Sequence, residues 1–309
     1  MTAAPDHVSV MVEEVLAALP LKPGGVAVDG TLGLAGHSLK MAQRIQPGGL
    51  LIALDWDQAM LARAEERLKE AEGVEVRAHH ADYRELKEWV EKDCKEAGRE
   101  IGADGILLDL GVNNAHLEDS TRGFTFREEG PLDMRMDRSR GEPASAMLNR
   151  MSAFEIEKIL WNYGDERWAR KIAQVIVERR KTKPLRTTSD LVDCVMAAIP
   201  AAKRDKRIHP ATRTFQAVRC AVTGELDELD QAVADAARAL KPGGVLAVLA
   251  YHSGEDRAVK QAMRSAAAEG DFEDLTRKPL EPTEAEIAAN PKSRSAKLRL
   301  LKRKEAANP

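Results

Sequence analysis

VAVDGTLGLAGHS, residues Val26 to Ser38, is the stretch of sequence that decides the fold. It begins with a short apolar run that ends at Asp29, continues through a loop of small residues, and enters a helical pattern. A strand, a glycine-rich turn and a helix in this order favour a nucleotide-type ligand. Small residues let such a ligand approach the backbone, and the amides of a helix N-terminus attract anionic groups. An ordinary strand-to-helix turn can have the same composition, so the rest of the chain must decide.

Apolar runs recur along the chain and alternate with helical patterns or turns. Continuous apolar runs of this kind are typical of parallel strands that are covered on both faces. We therefore predict an α/β fold, a Rossmann-like, doubly wound and mostly parallel sheet with an inserted, mainly helical domain. The predicted strands are Val26–Asp29, Leu50–Asp55, Val74–Ala78, Ile106–Leu110 and Val245–Tyr251, followed by a closing antiparallel pair at Phe272–Leu275 and Lys297–Leu301.

The region 113–215 interrupts this rhythm. It contains no strand-like run of comparable strength and is filled by helical stretches and basic loops. We therefore predict a catalytic domain made of residues 1–112 and 216–309, with an inserted helical domain at 113–215. The clearest helical stretches of the insertion are Ala153–Trp161, Glu166–Arg179 and Thr188–Ile199.

The composition excludes several classes of protein. The 309 residues carry a net charge of −3, and no apolar run approaches the ~20 residues of a membrane helix. The N-terminus lacks the pattern of a signal peptide, and Cys94, Cys194 and Cys220 are too far apart for a metal site or a disulfide framework. We expect a cytoplasmic globular protein without a metal. Basic clusters at 179–186, 203–207 and 292–304 indicate a polyanionic partner.

Polar residues occupy four predicted strand ends, at Asp29, Asp55, Asp109 and His252. Ligands of open α/β sheets lie beyond the carboxyl ends of the strands, so these residues should converge on one crevice. An acid about twenty residues beyond the glycine loop, as Asp55 is, can accept both ribose hydroxyls of NAD or of S-adenosylmethionine. The glycines at 30, 33 and 36 are spaced more widely than the Gly-x-Gly-x-x-Gly of nicotinamide enzymes. An NAD-dependent oxidoreductase is therefore the less favoured alternative.

Several long motifs follow one another from His7 to about Leu300. They are HVSVMVEEVL, VDGTLGLAGHS, GILLDLGV, RGFTF with GPLDMRMD, NYGDERWARKIA, HPATRTFQAVR, YHSGEDRAVK and NPKSRSAKLR. Taken together, they resemble the bacterial 16S ribosomal RNA cytosine-N(4)-methyltransferase family. The stretch from Arg122 to Asp137 and the HPATRTFQAVR motif are the most specific of them.

The resemblance implies methyl transfer from S-adenosylmethionine to the exocyclic amino nitrogen of a cytosine in the decoding region (P site) of 16S rRNA. The partner would be this rRNA in the small ribosomal subunit. A Rossmann-like catalytic domain and an inserted domain for RNA recognition are also implied. By motif position, the implied cofactor-binding residues are Ala35, Gly36, His37, Asp55, Tyr83, Asp109 and His116.

The cytosine amino group is a poor nucleophile, because its lone pair is delocalised into the ring. An acceptor for its hydrogens would help to disperse the developing positive charge. We expect Asp109, or nearby backbone carbonyls, to be this catalytic acceptor, with Asn113 and His252 orienting the base. The alternative is that Asp109 serves only the cofactor. Phosphate contacts are expected from Arg122, Arg135, Arg213 and the basic tail at 292–304.

The chain departs from the family pattern around the expected crevice. Leu34 and Ala35 stand where the family typically has glycines, and a Cβ at Ala35 narrows the space near the amino-acid end of the cofactor. The Asn113-Asn-Ala-His116 stretch replaces one similar to Ser-Ser-Pro-Gln. Tyr251 and Gly254 replace a Phe and a Leu.

Two further interpretations stay open. The first is methyl transfer to a small molecule or a protein, which predicts activity on free small acceptors and none on 30S particles or 16S rRNA. The second is a non-catalytic RNA-binding or ribosome-assembly factor, which predicts RNA binding without methyl incorporation. The sequence does not fix the oligomeric state, and a dimer is one option.

Overall fold

A seven-stranded sheet organises the first of two compact units. The computed structural model describes residues 8–112, 116–117 and 119–305. The strand order is β3-β2-β1-β4-β5-β7-β6, with β1 to β5 parallel and β7 antiparallel to both of its neighbours. The predicted fold class is therefore confirmed. The strands are β1 Val26–Asp29, β2 Gly49–Asp55, β3 Val74–His80, β4 Ala103–Asp109, β5 Leu240–Ala250, β6 Phe272–Asp274 and β7 Lys297–Arg303.

The chain order reverses between β1 and β4. Strand β1 pairs with β2 on one side and with β4 on the other, and its Val28 lies opposite Ile52 and Ile106. This register brings the carboxyl ends of the three strands to the same edge of the sheet. Such a reversal opens a crevice at that edge, which is where ligands of open α/β sheets bind.

Strand β5 is longer than its apolar run predicts. The predicted strand begins at Val245, whereas β5 already begins at Leu240. The β4–β5 register shifts there, from Ala103 opposite Leu240 to Gly105 opposite Val245, so the extra residues form a bulge. Gly243 has φ +81°, a conformation that few residues other than glycine adopt.

Seven helices of the described residues complete this unit. Apolar side chains of the sheet and helices form one buried cluster, which includes Met41, Ile45, Leu51 and Leu107. Burial stabilises the fold by roughly 1.5–3 kcal/mol for each such side chain. These helices are α1 Val12–Ala18, α2 Gly36–Ile45, α3 Gln58–Leu68, α4 Leu86–Glu96, α10 Leu229–Arg238, α11 Ser253–Ala268 and α12 Glu284–Ala289.

The second unit, residues 112–227, is mainly helical. Helix α6 (Ala153–Gly164) packs against α7 (Ala169–Arg180) and α9 (Thr212–Thr223). Gly164 allows the close approach of α6 and α9, because a Cβ there would lie 2.7 Å from the carbonyl oxygen of Arg213. Since α9 packs on α6, the unit ends at Asp227, beyond the boundary at 215 that the sequence suggested. Its helices are α5 Ala144–Arg150, α6 Ala153–Gly164, α7 Ala169–Arg180, α8 Thr188–Ala198 and α9 Thr212–Thr223.

None of the helices in the described part of the chain combines the length and the apolarity needed to cross a membrane.

Candidate active site

Asp29 ends strand β1 and anchors the loop that follows it. Its side chain is buried, and its Oδ2 accepts a hydrogen bond from the Ser38 hydroxyl at 2.6 Å. Its Oδ1 accepts the backbone N–H of Thr31 at 3.1 Å. The Thr31 hydroxyl in turn accepts the backbone N–H of Asp109 at 2.6 Å. The ends of β1 and β4 are therefore connected through one threonine.

Asp55 ends β2 and is bonded to the same loop. Its Oδ2 accepts the backbone N–H of Gly33 at 2.7 Å, and its Oδ1 accepts that of Asp57 at 2.8 Å. Gly33 has φ +53°, in the left-handed region that favours glycine. Asp57 caps helix α3, so Asp55 is not needed there. Each carboxylate oxygen of Asp55 retains lone-pair capacity for a further donor.

Asp109 ends β4 and faces two side chains. Its Oδ1 accepts the Tyr251 hydroxyl at 2.7 Å, and its Oδ2 lies 3.8 Å from His37 Nδ1. His37 Nε2 lies 2.9 Å from the carbonyl oxygen of Val10. Because a carbonyl only accepts, Nε2 carries the hydrogen of that bond. His37 thus ties the segment before α1 to the crevice, while its other nitrogen faces Asp109.

Burial dominates the electrostatics of this edge. It raises the pKa of Asp29 and of Asp109, and it raises the pKa of Asp55 to about 7. Among the described residues, no lysine or arginine forms an ion pair with these three carboxylates. The nearby His37 lowers the pKa of Asp29 and of Asp109, although burial outweighs it. The edge therefore offers carboxylate oxygens to a ligand that carries hydroxyl donors.

Packing, in addition to any ligand, explains two of the loop glycines. A Cβ on Gly30 would lie 2.5 Å from Leu108 Cδ2, and one on Gly36 would overlap the Ser9 hydroxyl. Ala35 is fully buried at φ +61° just before α2. The fold therefore holds Ala35 in a left-handed backbone conformation, which is unfavourable for residues that have a Cβ.

Tyr83 lies beside this loop, in the turn that follows β3. Its Cβ would be 3.3 Å from a Cβ on Gly30, and the residue is buried. The neighbouring Asp82 caps the turn and pairs with Arg84. Asp82 therefore has a structural role, whereas Tyr83 borders the loop at Gly30.

His252 begins helix α11 as its N-cap. Its Nδ1 accepts the backbone N–H groups of Gly254 and Glu255 at 3.2 and 3.3 Å. The Glu255 carboxylate reaches back to the backbone N–H groups of Tyr251 and His252 at 2.7 and 3.3 Å. Gly254 thus sits in a turn that is capped from both sides. The capping role occupies Nδ1, and the orientation of a base by His252 stays a prediction.

The remaining sequence-predicted residues belong to the second unit or lie outside the described residues. His116 is buried and packs against the ring of Phe124, with 5.4 Å between ring centroids. Asn113 lies outside the described residues.

The three arginines predicted to contact phosphates differ in exposure. Arg122 is 7% exposed and donates to the carbonyl oxygens of Arg135 and Met136, so the structure does not present it to a phosphate. The Arg135 guanidinium bonds to both carboxylate oxygens of Asp133. Arg213 is exposed and donates to the carbonyl oxygen of Asp165 at 3.1 Å. Of the three, Arg213 is the most accessible.

The basic tail is largely part of the sheet. Arg299 is 4% exposed and donates to Asp256 at 2.7 Å, and Lys297 lies 3.4 Å from the same carboxylate. Arg303 donates to the carbonyl oxygen of Leu240. The expectation of a phosphate-binding tail is therefore wrong for Arg299, whose charge is buried within the fold.

Sequence reasoning missed the residues that hold the site side chains in place. Thr31 bonds to Asp29 and to Asp109, Ser38 bonds to Asp29, and Glu255 bonds to Tyr251. The spacing of His252 and Glu255 is that of a capping box and could have predicted one of these contacts. The Tyr251–Asp109 bond joins residues 142 apart, and no local pattern signals it.

Comparisons with known proteins place this geometry in context. The sequence profile described as the MraW methylase family matches residues 4–304. A ribosomal RNA small subunit methyltransferase H from Geobacter sp. (strain M21) is 44% identical, covering 96% of this chain and 98% of its own. The protein of the same name from Heliobacterium mobile is 43% identical, with coverages of 96% and 98%. An rRNA methylase structure from Streptococcus thermophilus has a TM-score of 0.38 and 10% identity, over 95% of this chain and 94% of its own.

Proposed function

The chain belongs to the MraW methylase family, and from this premise we propose that it methylates the exocyclic amino nitrogen of a cytosine in 16S rRNA. The proposed donor is S-adenosylmethionine, and the proposed target lies in the decoding region, near the P site. The name of the relatives supports small-subunit rRNA as the substrate. The observation that carries the proposal is the single hydrogen-bonded edge on which Asp29, Asp55 and Asp109 meet.

The residues at this edge fit the proposed cofactor. S-adenosylmethionine, when bound, supplies a methyl group that a positively charged sulfur already activates. Asp55 would hold the ribose hydroxyls, because each of its oxygens can accept one more hydrogen bond. Asp29 and Asp109 end the neighbouring strands β1 and β4, so their carboxylates border the same crevice. Ala35, Gly36, His37 and Tyr83 complete the proposed cofactor set of the sheet unit, and His116 stays a prediction from the motif alone.

Asp109 is the proposed acceptor for the amino hydrogens of the cytosine. Its Oδ1 accepts the Tyr251 hydroxyl, whereas its Oδ2 lies beyond hydrogen-bond distance of His37 Nδ1. Oδ2 therefore has lone pairs available for a substrate N–H. An ionised acceptor there would stabilise the positive charge that develops on the attacking nitrogen. Asn113 and His252 stay candidates for orienting the base.

The second unit is the proposed RNA-recognition unit. Residues 112–227 contain 21 Arg and Lys against 17 Asp and Glu, although the whole chain has a net charge of −3. Positive charge is therefore concentrated in the insertion, as a polyanion partner requires. The target base must leave its stack, or already lie in an irregular region of the RNA, to reach a catalytic group.

The test is methyl transfer from radiolabelled S-adenosylmethionine to 30S subunits of a strain that lacks the enzyme. We expect label in 16S rRNA and, after digestion to nucleosides, in a cytidine methylated on its amino nitrogen. Label on another base, or on a ribosomal protein, would contradict the proposal. Naked 16S rRNA in parallel shows whether the assembled subunit is needed.

A further inference from the structure

Tyr251 places a hydroxyl beside the proposed acceptor. It donates to Asp109 Oδ1 at 2.7 Å. We propose that Tyr251 is a positioning residue for methyl transfer, which fixes the Asp109 carboxylate so that Oδ2 is the oxygen offered to the substrate. This inference rests on the proposed function of Asp109.

The position of Tyr251 is determined by the fold around it. Asp109 lies opposite Leu249 in the β4–β5 register, and Tyr251 follows two residues later, directly after the end of β5 at Ala250. Its backbone N–H donates to Glu255 Oε2 at 2.7 Å, and the Glu255 side chain is buried. The start of helix α11 thus fixes the backbone of Tyr251, the point from which its side chain extends to Asp109.

The Asp109 carboxylate has few other restraints on its rotation. Its backbone N–H is bonded to the Thr31 hydroxyl, which fixes the main chain but not the side chain. His37 Nδ1 is 3.8 Å from Oδ2, too far for a hydrogen bond. Among the described residues, the hydrogen bond from the Tyr251 hydroxyl is therefore the one that selects the orientation of this carboxylate.

The charges around Asp109 make the same hydroxyl important for ionisation. Burial raises the pKa of Asp109, and the neighbouring carboxylates of Asp29 and Glu255 raise it further. His37 and the Tyr251 hydroxyl act in the opposite direction. Loss of the hydroxyl should therefore raise the pKa of Asp109 and reduce the ionised fraction near neutral pH.

The experiment is Tyr251→Phe in the full chain, measured by single-turnover methyl transfer to the same 30S subunits between pH 6 and 9. Removal of a hydrogen bond to a charged group should lower the rate about tenfold to a hundredfold. The acid limb of the pH profile should move up by roughly one pH unit. The KM for S-adenosylmethionine should stay within about twofold, since this bond does not restrain Asp55.

The matched control is Thr276→Val in the sheet unit, which removes a buried hydroxyl that accepts the backbone N–H of Leu300 at 2.9 Å. It should leave the rate and the pH profile unchanged. In an Asp109→Asn background, Tyr251→Phe should change the residual rate less than about twofold, because its effect passes through Asp109. The same rate loss in both backgrounds, or a wild-type rate and profile for Tyr251→Phe, would overturn the inference. A wild-type protein that incorporates no methyl into cytosine would instead overturn the proposed function, and this inference with it.

Discussion

Asp55 is the residue whose protonation should control cofactor binding. Burial raises its pKa to about 7, against the bonds from Asp57 and Gly33, which lower it. Ribose hydroxyls donate best to the ionised carboxylate, so affinity should be full above pH 7. Below that pH it should weaken, approaching tenfold for each further pH unit. The measurement is calorimetric titration with 5′-methylthioadenosine, which carries the ribose but no titrating amino group in this range.

Asp55→Asn is the control for that titration. The variant should bind 5′-methylthioadenosine weakly, and its affinity should not change between pH 5.5 and 8. Asp29 and Asp109 also have raised pKa values, so this control separates their titration from that of Asp55. An affinity of the wild-type protein that does not change over this range would contradict the role given to Asp55.

Asp109→Asn tests the proposed acceptor at the residue scale. The amide keeps the size of the side chain but removes its charge, so methyl transfer should slow by about a hundredfold or more. The dissociation constant for S-adenosylmethionine should change by no more than about threefold. Asp104→Asn is the control, because Asp104 lies at the other end of β4 and pairs with Lys241. Full activity of Asp109→Asn would end the acceptor role, and loss of cofactor binding would assign Asp109 to the cofactor.

Sequence alone was sufficient to find the acidic strand ends but not their partners. Asp29, Asp55 and Asp109 were predictable because each follows an apolar run, and parallel strands bring their carboxyl ends to one edge. The Tyr251–Asp109 bond depends on the β4–β5 register and on two side-chain rotamers, which no local pattern encodes. Arg122 shows the same limit in reverse, because its burial follows from backbone carbonyls that come together only in the folded chain.

Strand β7 changes the interpretation of the basic C-terminal segment. Counted as charges, the segment looks like a surface for polyanions, but its leucines are buried at 298, 300 and 301. Apolar and polar residues alternate little along β7, because the strand lies between β5 and β6 and helices cover it. Its arginines therefore had to be distributed between the surface and buried ion pairs, and composition cannot show which is which.

Arg299→Ala should destabilise this part of the sheet. Among the described residues, it leaves Asp256 with the more distant Lys297 as its cationic partner. Loss of one partner of a buried pair costs about 3 kcal/mol. The free energy of unfolding in urea measures the change. Arg294→Ala, at an exposed position of the same segment, should change it by less than about 0.5 kcal/mol. Equal values for the two variants would show that the Arg299–Asp256 pair does not stabilise the strand.

At the scale of the whole molecule, charge and chemistry are divided between the two units. The acidic edge belongs to the sheet unit, and the excess of basic residues belongs to 112–227. The approximate position of the insertion was predictable from the loss of strand-like runs. Its end was not, because helix α9 reads equally well as part of either unit until its packing on α6 is known.

The basic loop at 203–207 tests the assignment of RNA binding to the second unit. Lys203, Lys206 and Arg207 are exposed, whereas Arg204 donates to the carbonyl oxygens of Met196 and Ile199 and is left unchanged. Replacing the three exposed residues by Ser should weaken 16S rRNA binding and reduce the slope of log K against log salt by up to about 2–3. Filter binding over a range of salt concentrations measures the slope.

The control removes three exposed charges from the sheet unit, at Lys95, Arg264 and Lys278. This variant should keep the wild-type slope. If instead it loses the slope, and the variant in the 203–207 loop does not, RNA binding belongs to the sheet unit.

The most direct test of the central claim is a crystal structure of the full chain with S-adenosylhomocysteine, the product of the proposed cofactor. The account predicts the adenosyl group beyond the ends of β1, β2 and β4, with both ribose hydroxyls within hydrogen-bond distance of the Asp55 carboxylate. A ligand bound at any other edge of the sheet, or a ribose that makes no contact with Asp55, would contradict it.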